Sequence, residues 1–383
     1  MSYTVLARRY RSKGFDELVG QQAIADTLVA AIAENRVGHA YLFCGTRGVG
    51  KTSTARIFAN ALNNPGDKPE IQDAIMAGRD TDTIEIDAAS NNSVENARDL
   101  IANAAYLPMR GHRKIYIIDE CHMLSQAAFA ALLKTMEEPP EHVVFILCTT
   151  DTHKVPATIQ SRCQRFDFRN ISTVKIVEHL TAVMKAEKRK ATGELLHLVA
   201  RLANGSMRDA LSLLDRLLAT GKDPLTAEFL EELVGLPDRD VIIKIIDAIS
   251  DGDAATTLRL ADGLLQRSPS GDAMISALAE RFRDLMVIKV CGEHTTLVDL
   301  SADGRSKAAA QASKLDATGM VHNIAMCESV GKSAKSSNFG RALIDALLVR
   351  LAMSDKMAGV TEVVIAANQV TAHYGGGAPP KKR

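Results

Sequence analysis

The 383-residue sequence predicts an α/β domain, a mostly parallel sheet flanked by helices, followed by two all-helical regions. Three observations carry this. Short apolar runs alternate with stretches of helical period through residues 1–170, the order that builds parallel sheets. Beyond residue 170 only helical periodicity remains. A glycine-rich loop joins one apolar run to the helical stretch after it, the arrangement of phosphate-binding strand–loop–helix units.

The expected strands are AYLFC (40–44), DTIEID (82–87), KIYIID (114–119) and VVFILCT (143–149). Between them, helices are expected over 51–62, 93–105 and 125–138. The last starts at a capping serine, Ser125, and stops at Pro139-Pro140. Its Phe129, Leu132, Leu133 and Met136 share one helix face. Residues 171–236 read as one helical region and 237–357 as another, rich in Ala and Leu. The tail 358–383 ends YGGGAPPKKR and reads as a solvated, flexible segment.

The loop itself is GTRGVGKTS, Gly45 to Ser53, with a third glycine at Gly48. Gly45, Gly50, Lys51 and Thr52 fit the P-loop pattern G-x-x-x-x-G-K-[ST]. Glycines let successive backbone N–H groups turn toward phosphate oxygens, and the following helix adds its positive end. Lys51 is expected to reach the β- and γ-phosphates of ATP, and the Thr52 hydroxyl to ligate Mg²⁺. A plain glycine-rich turn with a solvated lysine is the other reading; the strand before and the helix after favour the nucleotide.

The KIYIID strand ends in two carboxylates. Asp119 is expected to hold Mg²⁺ opposite Thr52, and Glu120 to accept a proton from the water attacking the γ-phosphate. The next strand ends CTTD, where Thr150 could touch the γ-phosphate or order that water. Arg162, in TIQSRCQRF, has two readings, a buried salt bridge or an arginine aimed at a neighbouring subunit's nucleotide. Arg208 opens a helix in the second region and could close over the γ-phosphate, or pair with Asp209 or Asp215 on the surface. The spelling DECH resembles the D-E-x-H box of helicases, but no arginine-rich helicase motif follows. His122 otherwise packs or hydrogen-bonds near the strand end.

Composition sets limits. Lys plus Arg and Asp plus Glu are equal at 46 each, so no global attraction to nucleic acid or membrane is expected. Aromatic residues make up 4% and apolar residues 46%, which favours aliphatic, helix-rich cores. There is no 18-residue apolar run and no hydrophobic N-terminal signal. That predicts a cytoplasmic protein without a membrane partner. The six cysteines include no C-x-x-C pair, which argues against disulfides and a local zinc site.

These motifs together resemble a family, the gamma/tau subunits of bacterial DNA polymerase III, the AAA+ ATPases of the clamp loader. The resemblance runs in order through YTVLARRYRSKGFDELVGQ, GTRGVGKTSTARIFANALN, IEIDAASNNSVENARDL, YIIDECHMLSQAAFAALLKTMEEPPEHVVFILCTTD, SRCQRFDF and NGSMRDALSLLD. It covers essentially residues 1–235. GLPDRDVI and RALIDALLVRLA extend it more loosely to the 237–357 region. It implies an AAA+ domain over 1–170, a lid over 171–236 and an oligomerising collar over 237–357. It also implies a motor that hydrolyses ATP with Mg²⁺ to open a sliding clamp and load it on primer-template DNA. Partners would be delta and delta-prime type subunits, in a roughly pentameric assembly. Thr150 would be the first sensor, Arg162 the arginine finger acting in trans and Arg208 the second sensor. Arg11 and Val19 would flank the adenine. Gly45, Gly48, Gly50, Lys51, Thr52 and Ser53 would hold the phosphates.

The sequence departs from the family pattern in two places. NNPGDKPEIQDAIMAGRD stands where the family carries four zinc-binding cysteines, so zinc is not expected. The chain also ends soon after the collar region, as expected of the short, gamma-type form. Two rival readings are a hexameric AAA+ helicase or remodelling motor, and a non-hydrolysing clamp-loader subunit. The intact P-loop and acid pair argue against the second.

Overall fold

The computed structural model describes residues 4–353, apart from 236, 268–270, 296, 299 and 301. The chain divides into two units, Met1–Ala227 and Glu228–Arg383.

The first unit is built on a five-stranded parallel sheet. Its strands are β1 (Ala40–Cys44), β2 (Thr83–Asp87), β3 (Lys114–Asp119), β4 (Val143–Thr149) and β5 (Gln164–Asp167), in the order β2-β3-β4-β1-β5. All four expected strands are present. β1 and β4 are buried along their whole length, the continuous apolar pattern of strands covered on both faces. One face carries Tyr41, Phe43, Ile115, Ile117, Val144 and Ile146. They pack against Leu28 of α2 (Gln22–Ala33) and Phe58 of α3 (Lys51–Asn63). The other face carries Leu42, Tyr116, Ile118, Phe145 and Leu147. It packs against Leu100 of α5 (Val94–Ala104) and Phe129, Leu132 and Met136 of α6 (Gln126–Glu137). Ser125 caps α6 as expected, its Oγ accepting the Ala128 N–H at 3.2 Å.

The sequence did not announce β5. Only Phe166 of its four residues is buried, so no apolar run marks it. It is held by pairing, with Phe43 opposite Phe166 and Cys44 opposite Asp167. Helices α1 (Leu6–Arg9), α2 and α7 (Ala157–Gln160) were also missed. The cysteine-free segment after α3 folds as α4 (Pro69–Met76), with proline in its first turn.

Register aligns the carboxyl ends of the strands. Cys44 lies opposite Thr149, and Asp87 opposite Asp119. Residues 45, 119–120 and 149–150 therefore reach one sheet edge, where open α/β sheets bind ligands. The unit continues with α8 (Thr173–Ala186), α9 (Gly193–Leu202) and α10 (Met207–Ala219). Ile176, Leu180, Leu195, Val199, Leu211 and Leu214 are buried there.

The second unit is helical. α11 (Ala227–Val234) begins at the boundary, followed by α12 (Arg239–Ser250), α13 (Ala254–Arg267) and α14 (Gly271–Cys291). α15 (Ala302–Ser313), α16 (Ala317–Ser336) and α17 (Gly340–Ala352) complete it. Its core joins Ile245, Ile246, Leu278, Phe282, Met320, Leu347 and Leu348. Arg281 is buried in it, donating to Gln311 Oε1 at 3.0 Å, while Gln311 Nε2 reaches Asp247 at 3.0 Å. No helix among the described residues is long and apolar enough to cross a membrane. The expected flexible tail, 358–383, lies outside the described residues.

Candidate nucleotide site

The loop from β1 to α3 turns through backbone that an L side chain tolerates poorly. Gly48 has φ +79°, and a Cβ there would lie 1.9 Å from Ser206 Oγ. Gly50, the residue before α3, has φ +106° and faces open space where a Cβ would point. Space beside exposed N–H groups at a helix start suits a phosphate group. The Gly45 N–H donates to Thr149 O at 3.2 Å, tying the loop to β4.

Lys51 is 6% exposed. Its Nζ donates to the carbonyls of Gly45 at 2.7 Å and Thr46 at 2.8 Å. Burial pushes its pKa below that of an ordinary lysine. Thr52 Oγ1 donates to Asp119 Oδ2 at 2.8 Å. Burial raises the Asp119 carboxyl above the usual carboxylate range, against the lowering effect of that bond. Glu120 sits in left-handed backbone, φ +47°, a costly conformation for a non-glycine residue. Its N–H donates to Asp119 Oδ1 at 3.0 Å. Glu120 Oε2 accepts from Thr150 Oγ1 at 3.0 Å. His122 Nδ1 lies 3.5 Å from that oxygen and 3.2 Å from Thr149 Oγ1, so the last residue of the DECH stretch hydrogen-bonds near the strand end.

One cavity gathers most of the expected residues. Arg11, Val19, Gly48, Gly50, Lys51, Thr52, Ser53, Asp119, Glu120 and Arg208 all line it. Gly45, Thr150 and Arg162 are not among its lining residues. Gly45 touches the site through the Lys51 bond and Thr150 through Glu120. Arg162 follows α7, where it pairs with Glu137 and donates to Thr158 O at 2.7 Å. That pair is solvent-facing, with side chains 33% and 50% exposed, so the salt bridge exists but is not a buried one.

Arg208, in the first turn of α10, is brought to the loop by a backbone bond, Met207 N–H to Gly48 O at 3.1 Å. Gln21 bridges two segments, donating to Arg169 O at 2.7 Å and to Val49 O at 3.4 Å. Arg11, Arg47, Lys51 and Arg208 give the cavity four cations against Asp119 and Glu120. Burial lowers the pKa of Arg11, and the nearby Arg56 lowers it further. Such an excess of positive charge, partly desolvated, suits a polyphosphate. Thr52 and Asp119 supply hard oxygen ligands of the kind Mg²⁺ takes together with substrate phosphates. Sequence reasoning missed the remaining wall, which includes Ala7, Tyr10, Leu18, Ile171, His179, Met207 and Leu211. These come from α1, α8, α10 and the segments near them, too far apart in sequence for any spacing to link them.

A P-loop at the carboxyl edge of a parallel sheet, with helices α8–α10 joined to it, defines a P-loop ATPase fold of the AAA+ class. Comparison with known families narrows it. The family described as "DNA polymerase III, delta subunit" matches residues 20–172. "DNA polymerase III clamp loader subunit, ATPase lid domain" matches 175–223, and "DNA polymerase III subunits gamma and tau domain III" matches 225–364. DNA polymerase III subunit tau of Bacillus subtilis is 43% identical over 296 residues, 76% of this chain and 53% of that protein. The tau subunit of Escherichia coli is 41% identical over 282 residues, 72% of this chain and 44% of that one. Subunit gamma of Buchnera aphidicola (subsp. Schizaphis graminum) is 41% identical over 246 residues, 62% of this chain and 68% of that one. The chain belongs to the gamma/tau subunit family of DNA polymerase III. It spans about half the length of the tau-type relatives it matches. Among solved structures, a Thermotoga maritima Holliday junction branch migration motor aligns at 20% identity with a TM-score of 0.47. That alignment covers 63% of this chain and 79% of the other, a likeness that carries no argument about activity.

Proposed function

We propose that this chain is the ATP-hydrolysing motor subunit of a DNA polymerase III clamp loader, opening a sliding clamp and placing it on primed DNA in the cytoplasm. The observation that carries the reading is the bonded set Thr52–Asp119–Glu120–Thr150 beside Lys51. A subunit that only binds nucleotide has no use for a carboxylate in Glu120's position. In the proposed site, the loop N–H groups from Gly45 to Ser53 and Lys51 hold the phosphates. Mg²⁺, held through Thr52 and Asp119, would neutralise charge on the β- and γ-oxygens. Glu120 takes the proton of the attacking water, Thr150 orders that water or senses the γ-phosphate, and Arg208 closes over it from α10. Arg11 and Val19 flank the adenine.

Arg162, paired on the surface and off its own cavity, acts on a neighbouring chain's ATP. Residues 171–236 serve as the lid, and 237–357 hold chains together in a roughly pentameric ring with delta and delta-prime type subunits. No zinc is required. The test is ATP turnover measured alone, and with primed DNA and a purified clamp. Turnover stimulated by both together supports the reading; turnover indifferent to the clamp removes clamp loading from it.

A further inference from the structure

The carboxylate of Glu120, the residue proposed as the base, is held by one of its two oxygens. Thr150 Oγ1 donates to Oε2 at 3.0 Å, and His122 Nδ1 lies 3.5 Å from the same oxygen. Oε1 has no hydrogen-bond or ion-pair partner among the described residues. The two groups on Oε2 come from different segments, Thr150 from the end of β4 and His122 from the turn after β3. A single hydrogen bond fixes a distance and leaves the carboxylate free to swing about it. A second polar group from another segment removes that freedom, the usual means of holding a reacting group in one orientation.

The His122 ring is itself firmly placed. It sits in a single 3₁₀ turn, Cys121–Met123, closed by the Met123 N–H to Glu120 O at 2.9 Å and the Leu124 N–H to Cys121 O at 3.0 Å. Cys121 in that turn is fully buried. His122 Nδ1 also lies 3.2 Å from Thr149 Oγ1, the hydroxyl of a fully buried residue, which accepts the Asp151 N–H at 3.0 Å. An ionised carboxylate has no hydrogen to give. These neighbours therefore assign the ring hydrogen to Nδ1, shared between Thr149 Oγ1 and Glu120 Oε2. At 3.5 Å the Glu120 contact is longer than an ordinary hydrogen bond and acts electrostatically. Glu120 lines the cavity and His122 is not among its lining residues, so His122 reaches the chemistry only through Glu120. We infer that His122 is a positioning residue for ATP hydrolysis: with Thr150 it fixes the Glu120 carboxylate by Oε2, which leaves Oε1 as the oxygen that meets the attacking water. This rests on the proposal that Glu120 is the general base, and it adds the group that aims it.

The test measures kcat and the ATP dissociation constant of the full chain, under the conditions of highest wild-type turnover. The variants are His122→Leu, His122→Asn, Glu120→Gln and the double variant Glu120→Gln/His122→Leu. Leucine and asparagine have nearly the same shape, but only asparagine can place an N–H where Nδ1 stands. His122→Leu should lower kcat about 10- to 100-fold, the cost of a small displacement at a reacting group, and leave ATP affinity unchanged. His122→Asn should recover part of that loss. In the Glu120→Gln background His122→Leu should cost nothing further, because no base is left to aim. A His122→Leu chain with wild-type kcat, or one no slower than His122→Asn, overturns the inference. So does a loss of ATP affinity alongside kcat, or an equal fold-loss in the Glu120→Gln background, since either makes His122 a support of the fold. Glu120→Gln separates the two levels of argument. If it turns over ATP as the wild type does, the reading of Glu120 as the base is wrong and the role of His122 falls with it. If it loses turnover while His122→Leu keeps the wild-type kcat, only the role of His122 falls.

Discussion

Replacing Gly48 with alanine attacks the point where the P-loop meets α10. The backbone there has φ +79°, and a new Cβ would stand 1.9 Å from Ser206 Oγ and 3.2 Å from Arg208 Cβ. Ser206 cannot move freely, because its Oγ caps α10 by accepting the Asp209 N–H at 3.2 Å. Left-handed backbone costs an alanine about 1–2 kcal/mol relative to glycine, and a lost cap about 1 kcal/mol more. The sum, about 2–3 kcal/mol, corresponds to a Tm lowered by about 4–12 °C in a unit of this size. The alternative relief is for α10 to swing off the loop, breaking the Met207–Gly48 bond and taking Arg208 with it. Stability then falls less, but an ATP site that depends on Arg208 should weaken about tenfold, the effect of one or two charge-assisted bonds. Thermal melts and ATP titrations on the same preparation cover both routes. Gly66→Ala is the control, since Gly66 has ordinary φ and nothing within 4 Å of a new Cβ. A Gly48→Ala chain that melts and binds like Gly66→Ala would refute the reasoning.

Glu120→Gln should keep ATP affinity and slow turnover by about 10²–10⁴-fold, the usual worth of a general base; near-normal kcat would remove Glu120 from that role. Arg162→Ala should bind ATP normally yet lose turnover in the assembly. Mixing it with Lys51→Ala chains should restore part of that turnover, because an intact Lys51 site then meets an intact Arg162 neighbour. Mixed assemblies that stay inactive would place Arg162's effect within its own chain. Asp82 gives a pH test. Burial alone would raise its carboxyl pKa, but the N–H groups of Met109, Arg110 and Gly111, each at 2.7 Å, outweigh that and hold it below the usual value. Its stabilisation is therefore present above the unfolded-state pKa and lost as pH falls through the depressed folded one. Asp82→Asn should lower Tm at neutral pH, and the gap to wild type should narrow in acid; a gap independent of pH would show that the charge is not what those N–H groups hold.

The sheet was legible wherever burial is two-sided. β1, β3 and β4 are apolar runs because helices cover both faces, so these three could be read at nearly their observed bounds, as could β2 although only its first residue is buried. β5 could not, since three of its four residues face outward and its place depends on pairing with β1 rather than on composition. That the residues expected to meet phosphate lie together was legible for a related reason. They lie within two short motifs, and the fold has only to bring two sheet-edge segments together. The wall containing Tyr10, His179 and Leu211 needs three segments up to two hundred residues apart to meet. No residue type there is unusual for a helix, and amphipathic periodicity accounts for Leu211 as fully as a base pocket does. Arg162 was half legible: the sequence offered a buried salt bridge or a role toward a neighbour, and the chain forms a salt bridge that is not buried.

The bonds within the proposed phosphate end follow from the same chemistry that makes it a candidate site. Lys51, Thr52, Asp119 and Glu120 stand at a sheet edge where water is partly excluded, and polar groups there must find partners within the chain. They find each other: Lys51 the loop carbonyls, Thr52 the Asp119 carboxylate, Glu120 the Thr150 hydroxyl. Each of these bonds joins a group proposed to meet the triphosphate or its metal to another group of the same site or loop. Ligand binding is then an exchange of bonds rather than a simple gain. For Lys51, in the proposed complex, two neutral carbonyls would give way to anionic oxygens, which make shorter and stronger hydrogen bonds. For Thr52 and Asp119, the mutual bond would give way to holding the proposed Mg²⁺ between them. The net affinity is the difference between two satisfied states, so removing a single partner such as Thr150 changes the resting site as well as the bound one.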